Sequence, residues 1–283
     1  MFPLEFIDDA FPSKIAHFFC FFRVINNEDV VRACKILSDA GFIAELTLTP
    51  GQLNQYLKTE DNLSFFNKAG NLNIELHWEM SGCYLPDPIW LNDLGNQMEV
   101  INFTGTSITV LSPEYQLLYL SVHGTKHGWD CIEQVCSVTA LIQKTPLNWK
   151  KIEVEAKKWR CQRLLYLAIG LCQKLFGSLP IPDSISEKII KDKSLPNLID
   201  QIIGSMFSEF MDDPSVEKIN RFSFFHLKIR DQFIDQIQYV IRLIFSPTKQ
   251  DWYDYPVPAY FSFVHYLLRP YRLFHSKMRR KNA

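Results

Sequence analysis

The first candidate for chemistry is the segment 72–78, in which an acid and an imidazole stand two residues apart. Large apolar residues alternate there with Asn73, Glu75 and His77, and this period of two is typical of a half-buried β-strand. The pleat therefore places Glu75 and His77 side by side on one face. A carboxylate on a rigid strand suits a metal ion or a general base. The alternative is a polar face that simply meets water.

A second candidate is the segment 123–129, which reads His-Gly-Thr-Lys-His-Gly-Trp. His123 and His127 are four residues apart, so a helix would place them on one face. That spacing suits zinc, but Gly124 stands where a metalloprotease motif needs glutamate. The alternative is a pair of hydrogen-bonded imidazoles, with Lys126 either reaching a phosphate or lying in solvent. Trp129 is expected to pack rather than to touch a substrate.

The composition indicates a globular protein with a sizeable core. Of the 283 residues, 47% are apolar and 14% are aromatic, which argues against disorder. A net charge of −1 argues against a chain that grips nucleic acid over its whole surface. The seven scattered cysteines form no Cys-x-x-Cys pair, and neither a secretory leader nor a membrane-spanning apolar run is apparent. We therefore expect reduced thiols, a cytoplasmic location and no transmembrane segment.

The secondary structure that must position these residues changes near residue 111, from mostly strands to mostly helices. We predict strands at 18–25, 42–49 and 72–78, a helix from Asn27 to Ala40 stopped by Gly41, and a hairpin within 100–111. Ser112-Pro113-Glu114 is a helix start, and helical periods then dominate. The predicted helices are 112–126, 128–144, 148–158, 160–176, 183–193, 195–211, 226–246 and 259–275. The fold class is therefore α/β (α+β) over residues 1–110, followed by a mostly α-helical C-terminal domain over 111–283.

Several motifs in this order resemble one protein family. They are the strand reading Glu-Leu-His-Trp, the helix with His-x-x-Lys-His-x-Trp, the helix 27–40 with Gly41-Phe42, and the closing segments 247–252 and 266–273. Together they resemble the uncharacterised nucleotidyltransferase family of the DNA polymerase β superfamily, from about residue 25 to 275. The resemblance implies that the first domain holds a partial nucleotidyltransferase sheet.

The resemblance also implies a reaction. In the family, two aspartates spaced Asp-x-Asp and a third acid on a neighbouring strand hold Mg²⁺, and a nucleoside monophosphate passes from a nucleoside triphosphate to an acceptor. Glu75 occupies the place of the third acid and is the expected catalytic and metal-binding residue. The groups expected to line the substrate cleft are His77, His123, Lys126 and His127. The acceptor is not readable from the sequence.

The chain departs from the family pattern at the first two acids. Counting back from the helix at Asn27 places the Asp-x-Asp at Cys20 and Phe22, which do not ligate magnesium. Asp8 and Asp9 are adjacent, so they would point to opposite sides of a strand. We therefore expect a truncated or degenerate member, a pseudoenzyme with weak or no activity. The alternative is a non-catalytic protein that binds a nucleotide or another partner.

A cluster of cations closes the chain. It comprises Arg269, Arg272, Lys277, Arg279, Arg280 and Lys281. This tail predicts contact with an anionic partner such as RNA, lipid headgroups or the nucleotide. The alternative is a solvated helix end whose cations suit the helix dipole. Arg269 and Arg272, next to Pro270, are expected to pack against the helical bundle.

Overall fold

The computed structural model describes residues 22–23, 27–70, 72–211 and 218–281. These residues form two compact units by their internal contacts. Of the described residues, Asn96–Gln236 form the helical unit, and those up to Gly95 form the sheet unit together with those from Ile237 onwards. The boundary near residue 110 rests on the change from strand patterns to helical periods in the sequence, and it stays a prediction. The contacts group the chain differently, because the C-terminal segment joins the sheet.

The sheet unit begins with a four-stranded mixed sheet in the order β1-β4-β3-β2. Strand β4 pairs in parallel with β1 and antiparallel with β3, which in turn pairs antiparallel with β2. The elements are β1 (Phe22–Arg23), α1 (Asn27–Asp39), β2 (Ile43–Ala44), α2 (Pro50–Tyr56), β3 (Asn62–Phe66) and β4 (Asn73–His77). Of the first predicted strand, 18–25, residues 18–21 and 24–25 lie outside the described residues.

The two faces of this sheet differ in polarity, as the alternation of β4 predicts. Cross-strand pairs place Asn62 opposite His77 and Ser64 opposite Glu75, so one face is polar. The opposite face carries Leu63, Phe65, Ile74 and Leu76, and α1 and α2 pack on it. The buried core of the unit comprises Val30, Leu37, Leu46, Leu53, Tyr56, Leu57, Leu63, Phe65, Leu76, Trp78 and Trp252. The apolar face thus anchors the strand that presents Glu75.

The prediction for residues 42–66 was only partly right. Helix α1 is confirmed and is followed by Gly41 at φ +87°, a left-handed position that favours glycine. The predicted strand 42–49 is a strand only at Ile43–Ala44. Helix α2 was missed, although Thr49 and Gln52 form a capping box at its start. Strand β3 was not predicted either.

The helical unit starts with a hairpin and continues as a bundle, so the predicted mixed α+β fold with a helical second part is confirmed. Its central helix, Gln162–Phe176, is buried along nearly its whole length and contacts the other helices of the bundle around it. The elements are β5 (Met98–Phe103), β6 (Thr106–Leu111), α3 (Pro113–Lys126), α4 (Ile132–Lys144), α5 (Trp149–Lys158), α6 (Gln162–Phe176), α7 (Asp183–Lys191) and α8 (Leu195–Met211).

The predicted helix 226–246 is interrupted. It consists of α9 (Phe225–Lys228) and α10 (Phe233–Phe245). The Asp231 carboxylate between them accepts hydrogen bonds from the backbone N–H groups of Gln162 and Arg163, each at 2.9 Å. These are unpaired donors of the first turn of α6, so Asp231 caps another helix from the break. The periodicity of residues 226–246 does not predict this contact with a distant helix.

The chain then returns to the sheet unit as α11 (Lys249–Asp254) and α12 (Phe263–Lys281). Helix α11 was not predicted, although Thr248 and Asp251 form a capping box. Its Trp252 enters the core of the sheet unit. In the described ranges, no helix combines the length and apolar character needed to cross a bilayer.

Arg269 and Arg272 were expected to pack against the helical bundle, but the Asp251 carboxylate that both approach belongs to the sheet unit. The remaining cations of the tail lie beyond Phe274, the last residue of α12 whose side chain the structure describes. Their predicted contact with an anionic partner therefore stays a prediction.

Candidate functional site

The two predicted site residues of β4 contact each other. Nε2 of His77 lies 3.0 Å from Oε2 of Glu75, and the side chains are 4% and 19% exposed. They stand two residues apart on one face, as the strand period requires. The sheet thus holds the carboxylate at a fixed place, with one of its oxygens engaged by an imidazole.

The charge of Glu75 reflects opposing effects. Burial raises its pKa, and the nearby Asp61 carboxylate adds to that effect. The hydrogen bond and charge of His77, with the charge of Lys249, lower it, and these lowering effects prevail. Glu75 is therefore an ionised carboxylate near neutral pH.

The register of β1 shows which of its two described positions is in line with Glu75 and His77. Phe22 pairs with Leu76 and Arg23 pairs with His77. Paired positions share a face of the sheet, so the β1 position in line with Glu75 and His77 is residue 23 rather than residue 22. Cys20, like Asp8 and Asp9, lies outside the described residues. Neither described position of β1 carries an acid.

Two buried acids near β4 were missed by the sequence analysis. Asp61 and Glu79 are only 6% and 7% exposed, and Ser81 Oγ donates a hydrogen bond to Glu79 Oε1 at 3.1 Å. Glu79 continues the alternation of Glu75 and His77, which was the available signal. Asp61 precedes a strand that was itself missed.

The described residues do not fit a magnesium site of the family type. In the ranges that the structure describes, no three His, Cys, Asp or Glu side chains are placed to hold a metal ion. Mg²⁺ prefers several hard oxygen ligands, usually two carboxylates or bound phosphates. Glu75 offers one carboxylate, which is engaged by His77, and the β1 residue paired with His77 is Arg23 rather than an acid.

The second set of predicted residues lies on the last turn of α3. The rings of His123 and His127 are 4.6 Å apart between centroids, so the expected shared face is present. The hydroxyl of Tyr119 lies 3.2 Å from Nδ1 of His123, within hydrogen-bond distance. Lys126 is partly exposed and His127 is exposed. This turn can therefore offer imidazole and ammonium groups to an anion.

The turn is anchored by Trp129, which is fully buried as expected. Its Nε1 donates to Oγ1 of Thr125 at 3.3 Å, and its ring lies directly against Gly124. Gly128 and Trp129 both have left-handed backbones, with φ of +70° and +55°. The glycines of this motif thus serve the turn rather than a ligand.

A third imidazole near His127 was also missed. His226 is 1% exposed, and burial, together with the charges of Arg230 and His127, lowers its pKa to about 4. The backbone at Asn220 opposes this shift by a hydrogen bond. His226 is therefore neutral at physiological pH. It lies about a hundred positions from His127 in the sequence, so no motif could have linked them.

The predicted site residues thus form two local groups. Glu75 and His77 belong to the sheet unit, whereas His123, Lys126 and His127 belong to the helical unit. Within each group the side chains are neighbours, and their roles toward a substrate stay predictions.

A comparison with protein families gives one match. The family model described as "Uncharacterised nucleotidyltransferase" matches residues 24–177, more than half of the 283-residue chain. That range includes both local groups. The searches of curated proteins and of solved structures returned no match. The chain therefore belongs to the uncharacterised nucleotidyltransferase family.

Proposed function

We propose that this chain binds a nucleoside triphosphate and transfers its nucleoside monophosphate weakly or not at all. Family membership supports the substrate class. The environment of Glu75 supports the low activity, and it is the observation on which the proposal rests. Its carboxylate is engaged by His77, and the paired strand β1 contributes Phe22 and Arg23 rather than acids.

The transfer reaction depends on how many acids surround Glu75. Transfer of a nucleoside monophosphate builds negative charge on the phosphate, and that charge needs cations held at fixed positions. A single carboxylate binds Mg²⁺ poorly unless the substrate phosphates supply the other ligands. Any residual activity would then depend on metal brought in by the nucleotide itself.

The helical unit supplies groups suited to phosphate. His127 is exposed and Lys126 is partly exposed, and both can donate hydrogen bonds to a phosphate oxygen. We propose that Lys126, His127 and the neighbouring His123 contact the phosphates. Glu75 and His77 are proposed to be the remaining residues of the family's acidic site.

Binding is tested by calorimetric titration of the full chain with MgATP, MgGTP, MgCTP and MgUTP in turn. Replacing Lys126 and His127 together by alanine should weaken binding about a hundredfold or more, since charge-assisted hydrogen bonds contribute about 1.5–3 kcal/mol each. Lys157→Ala, an exposed lysine of α5, is the matched control and should bind normally. No binding of any of the four nucleotides would contradict the proposal.

Transfer is tested separately with the same nucleotides, labelled on the α-phosphate, and Mg²⁺. We expect little label on the protein or on added acceptors, and Glu75→Gln should abolish whatever remains. Glu99→Gln, on the exposed strand β5, is the control for the loss of a glutamate charge. Binding without transfer would identify a non-catalytic nucleotide-binding protein. Robust transfer that Glu75→Gln removes would show that the acids of this chain suffice.

A further inference from the structure

Helix α12 of the sheet unit buries polar side chains and exposes large apolar ones. Its inner face carries His265 and Arg269, which are 0% and 3% exposed. Its outer face carries Leu267, Tyr271 and Phe274, which are 68%, 60% and 65% exposed. A surface helix of a globular protein ordinarily turns its apolar face to the core and its charges to water. The outer face of α12 is therefore built to meet something other than water.

The orientation of α12 is fixed by contacts of its inner face. Arg272 forms ion pairs with Asp251 and with Asp254, the latter at 2.8 Å between Nη2 and Oδ2. The ring of His265 lies 4.4 Å from that of Trp252 between centroids. Turning the helix over to bury its apolar side would break these contacts. The exposure of the outer face is thus a stable property of the unit.

The exposed face forms a continuous stripe. Phe263, Leu267, Tyr271 and Phe274 follow the spacing of one helix face, and Tyr266 lies beside them. The preceding turn adds exposed aromatic rings at Tyr260 and Phe261. Contiguous exposed apolar surface of this kind marks an interaction site.

The charge of the segment after Asp254 indicates which kind of partner the stripe binds. After Asp254 the sequence contains no acidic residue, while it contains six arginines and lysines. Two of these, Arg269 and Arg272, are already matched by acids of α11. The other four are Lys277, Arg279, Arg280 and Lys281. A second copy of this chain would bring a like charge to a symmetric contact, which opposes pairing through α12.

We propose that α12 binds the surface of an anionic lipid bilayer. The helix lies along the surface, with Leu267, Tyr271 and Phe274 inserted at the boundary between headgroups and acyl chains. The C-terminal cations contact the anionic headgroups. Aromatic and leucine side chains on one face with adjacent lysine and arginine are the features of helices that bind in this way. The proposal goes beyond nucleotide binding and is independent of it.

The test is co-sedimentation of the full chain with two kinds of vesicle: phosphatidylcholine alone, and phosphatidylcholine mixed with phosphatidylglycerol. We expect sedimentation with the mixed vesicles only, reduced by added salt. Leu267→Glu should weaken the affinity at least tenfold, because it removes an apolar side chain that the bilayer would bury. Replacing the four C-terminal cations by glutamine should weaken it roughly a hundredfold or more. Ile190→Glu, at an exposed isoleucine of α7, is the matched control and should leave it unchanged.

Three outcomes would overturn the proposal. The first is that the wild-type chain stays in solution with anionic vesicles, and the second is that Leu267→Glu sediments as well as wild type. The third is a dimer in the absence of vesicles, detected by light scattering, that Leu267→Glu dissociates, since the stripe would then join two copies. Circular dichroism and thermal unfolding check that each variant is folded. Because Leu267 and Ile190 are exposed, we expect wild-type stability of the variants at these two positions.

Discussion

The ring of Trp129 lies so close to Gly124 that a β-carbon at position 124 would approach two ring carbons to 2.7 Å. Trp129 is fully buried in the helical unit and has a left-handed backbone, so its ring has little freedom to move away. The glycine of the His-Gly-Thr-Lys-His-Gly-Trp segment is therefore required by packing. The same contact fixes the turn that carries His123 and His127.

Gly124→Ala should destabilise the protein by about 1–3 kcal/mol, the usual cost of overpacking a rigid core. The measurement is chemical denaturation followed by circular dichroism. Gly170→Ala is the matched control, because its β-carbon would meet the flexible end of the Ile199 side chain at 2.8 Å. That side chain can rotate, so we expect a smaller cost there. Equal losses in the two variants would contradict the role given to the Trp129 ring.

Asp251 should be the most costly acid to remove in the C-terminal part of the sheet unit. It is 1% exposed, accepts hydrogen bonds from the backbone and hydroxyl of Thr248 at 2.7 Å, and pairs with Arg272 and Arg269. Asp251→Ala leaves buried guanidinium charge without its acid, so we expect a loss of about 3–5 kcal/mol in the free energy of unfolding.

The matched control is Asp254→Ala, which removes a partly exposed partner of Arg272. An exposed ion pair contributes about 0–1 kcal/mol, so this variant should unfold almost like wild type. A loss at Asp251 no larger than at Asp254 would show that the buried pair is not important for stability.

His226 should make the protein less stable in mild acid. Its pKa in the folded chain is about 4, below the usual 6.5, so the unfolded chain takes up a proton first as the pH falls. Stability is thus complete above about pH 6.5 and declines toward pH 4, by up to about 3 kcal/mol. Denaturation at a series of pH values should show this slope for wild type. The slope should be shallower in His226→Leu, and an unchanged slope would assign the loss to other groups.

His77→Gln should raise the pKa of Glu75, because both the hydrogen bond and the charge of His77 lower it. Lys249→Gln should raise it less, since Lys249 acts by charge alone. The stability that this lowered pKa provides is present above the unfolded value and is lost as the pH falls through the folded one. Nuclear magnetic resonance titration of ¹³C-labelled glutamate measures the shift. The exposed Lys35→Gln serves as the control, and a pKa that falls in His77→Gln would contradict the pairing.

The sequence by itself determined the local features of this protein. The alternation at 73–77 fixed which face of β4 carries Glu75 and His77, and the spacing of His123 and His127 fixed their shared helix face. Helix α1 with Gly41, the hairpin and most bundle helices also follow from local signals. Such features depend on side chains within a few residues of each other, so periodicity and capping residues are enough to predict them.

Only the tertiary structure decided which residues lie near Glu75, His77 and His127. The register that pairs Arg23 with His77, the carboxylate of Asp61 near Glu75, and His226 near His127 all join distant parts of the sequence. The break between α9 and α10 follows from a cap that Asp231 provides to another helix. The outward stripe of α12 depends on ion pairs with α11. Contacts between distant segments depend on the packing of the whole chain, so a local sequence pattern does not predict them.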